Sequence, residues 1–213
     1  ALIDGEVDTT APELAGASII DKSPCTVTSS PFSKTHGTSM ASLLVSKAYG
    51  VAPDATLLTY TTSQPGDNDV SGRDCTSSNG NGIEDPVSLI NRAISDGAQI
   101  ISISSSNDES SDTTKWAIAR ANARGVIVVS PMGNDAKDET LDTYSKWSGV
   151  VGVSAIDTTG KVASYSSWGQ GTTVAAVGGP VVVHNYESGN KGFTDGTSNS
   201  VPLVAGFLAL AKQ

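Results

Sequence analysis

Imidazole acid–base chemistry has only two places to sit in this chain, because its 213 residues carry two histidines. A serine nucleophile needs a histidine to take its proton and a carboxylate to orient that histidine. Serines are too common here to signal anything alone. His36 stands in Thr35-His36-Gly37-Thr38, at the opening of a helical pattern, and Gly37 leaves room beside the imidazole. His184 follows Val181-Val182-Val183 and reads as an ordinary surface residue on a strand or loop. Gly196-Thr197-Ser198 opens an apolar helix, where free N–H groups and the helix dipole favour a developing negative charge. A plain Ser/Thr cap is the simpler alternative there. Val128-Val129-Ser130-Pro131-Met132-Gly133-Asn134 ends a buried strand in Gly-Asn. That amide can donate to an oxyanion, or the pair can simply turn the chain. Asp4 follows an apolar strand end at Ala1-Leu2-Ile3.

The elements that must position these groups alternate. Met40, Leu43, Leu44 and Ala48 are spaced for a helix over 37–48, closed by Gly50. Asp85-Pro86 starts another helix, with Val87, Ile90 and Ile94 on one face and Gly97 at its end. Helices are also predicted over 113–123, stopped by Gly125, and over 197–212. Strands are predicted at 1–3, 55–60, 100–104, 126–130, 149–155, 162–166 and 173–177. This order implies an α/β fold with a mostly parallel sheet and helices on both faces. In such a sheet ligands sit beyond the carboxyl ends of strands. That singles out Asp4, the loop before His36, residues 104–107, Gly133-Asn134 and the turn into Thr197-Ser198. The polar stretch 63–82 is the one long loop.

Length and charge bound the rest. At 21.6 kDa the chain suits one domain, 1–213. Its net charge of −9, without a Lys/Arg cluster, argues against nucleic-acid or anionic-membrane binding. The longest apolar stretch, 201–211, is broken by Pro202 and Gly206 and is too short to span a bilayer. Ala1 opens on neither an initiator Met nor a signal peptide, so the chain reads as trimmed. Cys25 and Cys75 lie in polar, loop-like stretches. They read as one disulfide of an exported protein, the alternative being two unrelated thiols. Two Cys and two His supply no closely spaced metal-ligand set.

Taken together, the motifs resemble the subtilases, the subtilisin-like serine proteases. Ala1-Leu2-Ile3-Asp4 with Val7-Asp8 looks like the family's aspartate motif. His36-Gly37-Thr38, then Gly50-Val51-Ala52-Pro53, looks like its histidine motif. Val126-Ile127-Val128-Val129 into Gly133-Asn134 is similar to its oxyanion strand. Val150 to Asp157, then Ala163-Ser164-Tyr165-Ser166-Ser167, resembles the next strand pair. Gly196-Thr197-Ser198 with Pro202 and Val204-Ala205-Gly206 resembles its serine motif. The match runs over nearly the whole chain, in the family's order Asp, His, Asn, Ser. It implies Ser198 as nucleophile, His36 as general base then acid, Asp4 as orienting carboxylate and Asn134 as oxyanion donor. It implies a secreted or cell-envelope-exposed endopeptidase with no cofactor, acting on peptide or protein substrate and partnered by its own propeptide. Gly37-Thr38-Ser39-Met40-Ala41-Ser42 imitates the serine motif, but Ser39 lacks the following Pro and Val-Ala-Gly.

The resemblance also places a substrate cleft and marks departures. Substrate would lie as a strand between Asn79-Gly80-Asn81 and Ser104-Ser105-Ser106. Ser106 and Asn107 stand where the family has glycines, and would narrow the cleft. Met132 would partly fill the first specificity pocket, and Asp135 at its rim would mildly favour Lys or Arg. Gly5-Glu6 replaces the hydroxyl residue that usually follows the Asp. Asn199-Ser200-Val201 replaces Met-Ala-Ser after the nucleophile. Cys25 and Cys75 would fall on loops flanking the cleft. Glu13 matches a calcium-ligating position, but the loop that completes that site is missing, so no metal is expected. Both ends look short for the family. Two other readings stand beside the peptidase: a subtilase-fold binding or regulatory module with weak or no activity, and a sedolisin-type acid peptidase, against which His36-Gly37-Thr38 argues.

Overall fold

The computed structural model describes residues 1–24, 29–62, 86–104, 111–138 and 144–212. The parallel strands are β1 (Leu2–Asp4), β2 (Ser18–Asp21), β3 (Thr56–Thr61), β4 (Ile100–Ile103), β5 (Ile127–Pro131), β6 (Val150–Ile156) and β7 (Thr172–Val177). They form one sheet in the order β2-β3-β1-β4-β5-β6-β7, with every neighbouring pair parallel. Helices α1 (Pro31–Val45) and α4 (Thr197–Ala211) pack on one face, around Met40, Leu44 and Val201. Helices α2 (Pro86–Ser95) and α3 (Asp112–Ala123) cover the other, around Leu89, Ile90 and Ile118. The α/β architecture expected from the alternating patterns is the one observed.

Strand alternation decides where the first acid points. Leu2 enters the core beneath α1 and α4, and Ile3 enters the opposite core. Asp4 therefore returns to the α1 side. Strand order reverses around β1, which has β3 on one side and β4 on the other. The crevice beyond the carboxyl ends of β1 and β4 is thus the switch point where an open α/β sheet takes its ligand. The register Leu2↔Ser102 and Ile3↔Ile103, carried one residue further, sets Asp4 beside Ser104.

Several elements differ from the sequence expectation. Helix α1 starts at Pro31, well before the expected residue 37, and ends at Val45 rather than 48. The Ser30 side chain accepts from the Ser33 N–H, and Pro31 takes the first helical position. The apolar side chains of that added turn, Pro31 and Phe32, are exposed, so apolar periodicity does not report it. No strand forms at 162–166. Asp157 instead accepts from the Thr159 and Lys161 N–H groups, and the resulting turn leaves Val162 only an isolated antiparallel bridge to Ile156. Strand β2 and an antiparallel hairpin of β8 (Val181–Asn185) and β9 (Asn190–Thr194) are present without having been expected as such. Cys25 and Cys75 lie outside the described residues. Among those described, no helix is long and apolar enough to cross a membrane.

Candidate active site

Asp4, at the end of β1, is fully buried, and its Oδ1 lies 2.6 Å from His36 Nδ1. The Gly5 N–H donates to the same oxygen at 2.7 Å, so backbone supports the carboxylate where no hydroxyl follows it. Two glycines set this spacing. A Cβ on Gly37 would overlap Gly5 O, and a Cβ on Gly5 would overlap Ser33 O. The loop after Asp4 and the helix carrying His36 are in backbone contact, with no room for a side chain between them. Gly37 thus makes space for the Gly5 carbonyl rather than for the imidazole. On α1, His36 falls in line with Met40 and Leu44 at helical spacing, and the latter two are core residues.

The His36 side chain is 18% exposed. Burial pulls its pKa down, but the Asp4 charge and the hydrogen bond to it outweigh burial and hold it above the ordinary 6.5. Phe32, one turn earlier, lies 6.4 Å from the imidazole centroid and is 61% exposed.

Ser198 is the second residue of α4. The first turn is bolted to its surroundings by the two residues that follow Ser198. Asn199 Nδ2 donates to Gly178 O at 3.0 Å and Thr194 O at 3.2 Å, and Ser200 Oγ donates to Ala176 O at 3.0 Å. The residues that depart from the usual serine motif are therefore the ones that anchor it. Ser198 Oγ donates to Ser104 O at 2.9 Å. Ser104 follows β4 beside Asp4, so the serine and the Asp–His pair meet at the ends of adjacent strands, about 4.8 Å apart by ordinary sheet spacing. Among the described residues no hydrogen bond joins Ser198 to His36 in this conformation.

Asn134 follows β5 after a turn at Gly133, whose φ is +100°. The turn is pinned where Ser167 N–H donates to Gly133 O at 2.9 Å and Asp135 N–H donates to Ser167 Oγ at 3.1 Å. Asn134 Oδ1 accepts from Thr197 N–H at 2.8 Å and from the Thr197 hydroxyl at 2.9 Å. With the carbonyl oxygen so engaged, the amide nitrogen is the group left to face outward. A Cβ placed on Gly196 would lie 3.4 Å from Asn134 Nδ2 and 3.7 Å from Ser198 N. Two N–H donors thus border one small space that Gly196 leaves open. Such a space suits an oxygen that gains negative charge.

The remaining sequence candidates fall unevenly. Ser39 is 4% exposed, and its hydroxyl donates to Thr35 O inside α1. Met132 is 0% exposed, so it presents no surface to a ligand. Asp135 is exposed and lies 3.7 Å from Lys137 Nζ. Asn79, Gly80, Asn81, Ser105 and Ser106 lie outside the described residues. Among those described, no group of three or more His, Cys, Asp or Glu could hold a metal ion. Sequence reasoning missed Thr197, which orients Asn134, and Gly5, whose contact with the helix could be suspected only from two glycines each following a candidate acid or base.

A model described as the subtilase family matches residues 1–213. Subtilisin BL of Lederbergia lenta is 30% identical over 183 residues, covering 84% of this chain and 63% of that protein. A thermophilic serine proteinase of Bacillus sp. (strain AK1) is 29% identical over 219 residues, covering 99% of this chain and 51% of that protein. The chain thus spans about half to under two thirds of these curated relatives. Among solved structures, the prenylagaramide maturation protease PagA superposes with a TM-score of 0.79 at 26% identity, over 98% of this chain and 72% of that one. A cold-adapted subtilisin-like serine proteinase shares the fold, with a TM-score of 0.75 at 20% identity over 99% of this chain and 73% of that one.

Proposed function

Because the chain belongs to the subtilase family, we propose that it is a serine endopeptidase with Ser198, His36 and Asp4 as its triad and Asn134 as oxyanion donor. The observation that carries this is the 2.6 Å Asp4–His36 hydrogen bond, formed where the Ser198 hydroxyl reaches the neighbouring strand end. An extended peptide enters beside residues 104–106 and uses the Ser104 carbonyl as its first acceptor. Its amide replaces the Ser198 hydroxyl there, which frees that hydroxyl to turn towards His36. Ser198 Oγ attacks the scissile carbonyl carbon as the distal His36 nitrogen takes the hydroxyl proton. The Asp4 carboxylate stabilises the imidazolium that forms. The carbonyl oxygen becomes an oxyanion held by Asn134 Nδ2 and the Ser198 N–H. His36 then gives its proton to the leaving amine as the C–N bond breaks. Water repeats the sequence on the acyl-enzyme and restores Ser198.

Asn79, Gly80 and Asn81 supply the other wall of the cleft in this reading. Cys25 and Cys75 form one disulfide, which non-reducing mass spectrometry checks. The protein works outside the cell or on its envelope, with a propeptide as an early partner. One observation favours a second reading, a binding or regulatory module: Ser198 donates to Ser104 rather than to His36. A fluorophosphonate probe separates the two. Labelling of Ser198, lost in Ser198→Ala, supports the peptidase. An unlabelled Ser198 in folded protein favours the module.

A further inference from the structure

Tyr186 belongs to no motif, yet it touches both halves of the Asp–His pair's support. It follows β8 in the hairpin turn. Its hydroxyl donates to Asp8 Oδ2 at 2.8 Å, and its N–H donates to Thr35 Oγ1 at 3.0 Å. Asp8 lies on the loop leaving Asp4, and its own N–H donates to Thr38 Oγ1 at 3.0 Å. Thr35 and Thr38 sit on the turn of α1 that carries His36. The Tyr186 ring carries the Lys34 ammonium 5.2 Å from its centroid and meets the His184 ring edge-on at 4.7 Å. The second strand of the same hairpin, β9, runs directly into Gly196-Thr197-Ser198. One residue therefore links the aspartate loop, the histidine helix and the limb that bears the serine.

We propose that Tyr186 is a positioning residue that acts through Asp8 and Thr35 to hold Asp4 and His36 in register with each other and with the serine limb. The inference rests on the triad reading above and deepens it. The bridge is built to persist across pH. Burial raises the Tyr186 phenol, and its bond to the Asp8 carboxylate raises it further, so it remains a donor. Burial works against the Asp8 charge, but hydrogen bonds from Thr10 and Tyr186 and the Lys34 charge hold its pKa low. The other charged groups facing the bridge are Glu6, paired with Lys34 at 3.2 Å, and Glu13, with the titratable His184 against the Tyr186 ring.

Tyr186→Phe removes one oxygen and keeps the ring. Its kcat on a peptide substrate is expected to fall about 10-fold, short of the ~100-fold that a misplacement of about 1 Å costs. KM should stay within about twofold, because no substrate contact is lost. The acid limb of the rate should move to lower pH, as a looser Asp4 raises the His36 pKa less. Asp8→Asn should do the same, and the double variant should be no worse than the more affected single one. Lower thermal stability with kcat and the acid limb unchanged would overturn the proposal, as would a change confined to KM. NMR titration of the His36 ring in wild type and Tyr186→Phe reads the Asp–His geometry without any turnover. If Ser198 takes no fluorophosphonate, the triad reading falls, and an unchanged His36 titration separately sinks the Tyr186 role.

Discussion

The Asp4–His36 pair and the Ser198–Asn134 pair are built in different ways. The first is held by backbone pressed on backbone: Gly5 and Gly37 allow no side chain between the loop and the helix, and the 2.6 Å hydrogen bond is already made. The second is held by side-chain bolts. Asn199 and Ser200 grip three carbonyls, Thr197 turns the Asn134 amide, and one rotor stays turned aside, with the Ser198 hydroxyl on the Ser104 carbonyl. Two side chains carried on backbones pressed together hold one geometry, because a packed interior leaves them no room to search for one another. A hydroxyl can wait, since a single side-chain rotation moves it.

The largest expected effect strikes the serine side. Ser198→Ala should lower kcat about a million-fold, the size known for subtilisin itself, with its melting temperature unchanged. If Ser39→Ala does this instead, the serine motif is misassigned. Asn134→Ala should cost about 10²–10³ in kcat, a figure likewise drawn from subtilisin, with KM little altered. Steady-state kinetics on one peptide substrate check both.

On the packed side, Gly37→Ala should act on stability and rate together. Its Cβ would displace the Gly5 carbonyl, an overpacking cost of about 1–3 kcal/mol. The Asp–His hydrogen bond should lengthen with it. Calorimetry and kcat should fall together, and full activity with a lowered melting temperature would show that the glycine contact does not set the pair.

A pH series sharpens the same contrast. As the base proposed above, His36 would have to be neutral, and its pKa is held above 6.5, so the acid limb of kcat/KM should have its midpoint above pH 6.5. The stability linkage has the opposite sense. A histidine with a raised folded pKa adds stability that is full below pH 6.5 and lost as pH rises through the folded value. Asp4→Asn should move the midpoint down and flatten the stability change.

The smallest effect belongs to Asp135. Exposed and 3.7 Å from Lys137, it should favour Lys or Arg before the scissile bond by at most about threefold. A peptide library showing strong aromatic preference, unchanged in Asp135→Asn, would show that this carboxylate does not shape the pocket.

The legible parts of the molecule were those with a local signature. Helices α2, α3 and α4 carry apolar spacing with glycines at positive φ after the first two, and strands β4 to β6 are aliphatic runs. Scarce histidines isolated His36. The first turn of α1 leaves no such signature, because its apolar side chains, Pro31 and Phe32, face solvent. Strand β2 has no local signature, because Ser18-Ile19-Ile20-Asp21 is short and half polar at the sheet edge. The strand expected at 162–166 is absent because Val162 is the one β-branched residue in that stretch and makes only an isolated bridge.

The sequence alone determined the fold class and the order of Asp4, His36, Asn134 and Ser198, because two hydrophobic periods and a few rare residue types are written locally. Tertiary structure alone decided the rest. It set the Asp4–His36 spacing across 32 residues, the Asn134 amide direction across 63, the Ser198 hydroxyl's partner across 94 and the Tyr186–Asp8 bridge across 178. Periodicity and capping fix an element's direction and its buried face. The separation of two groups on different elements is a sum over every packed contact between them, and no local stretch of chain contains that sum.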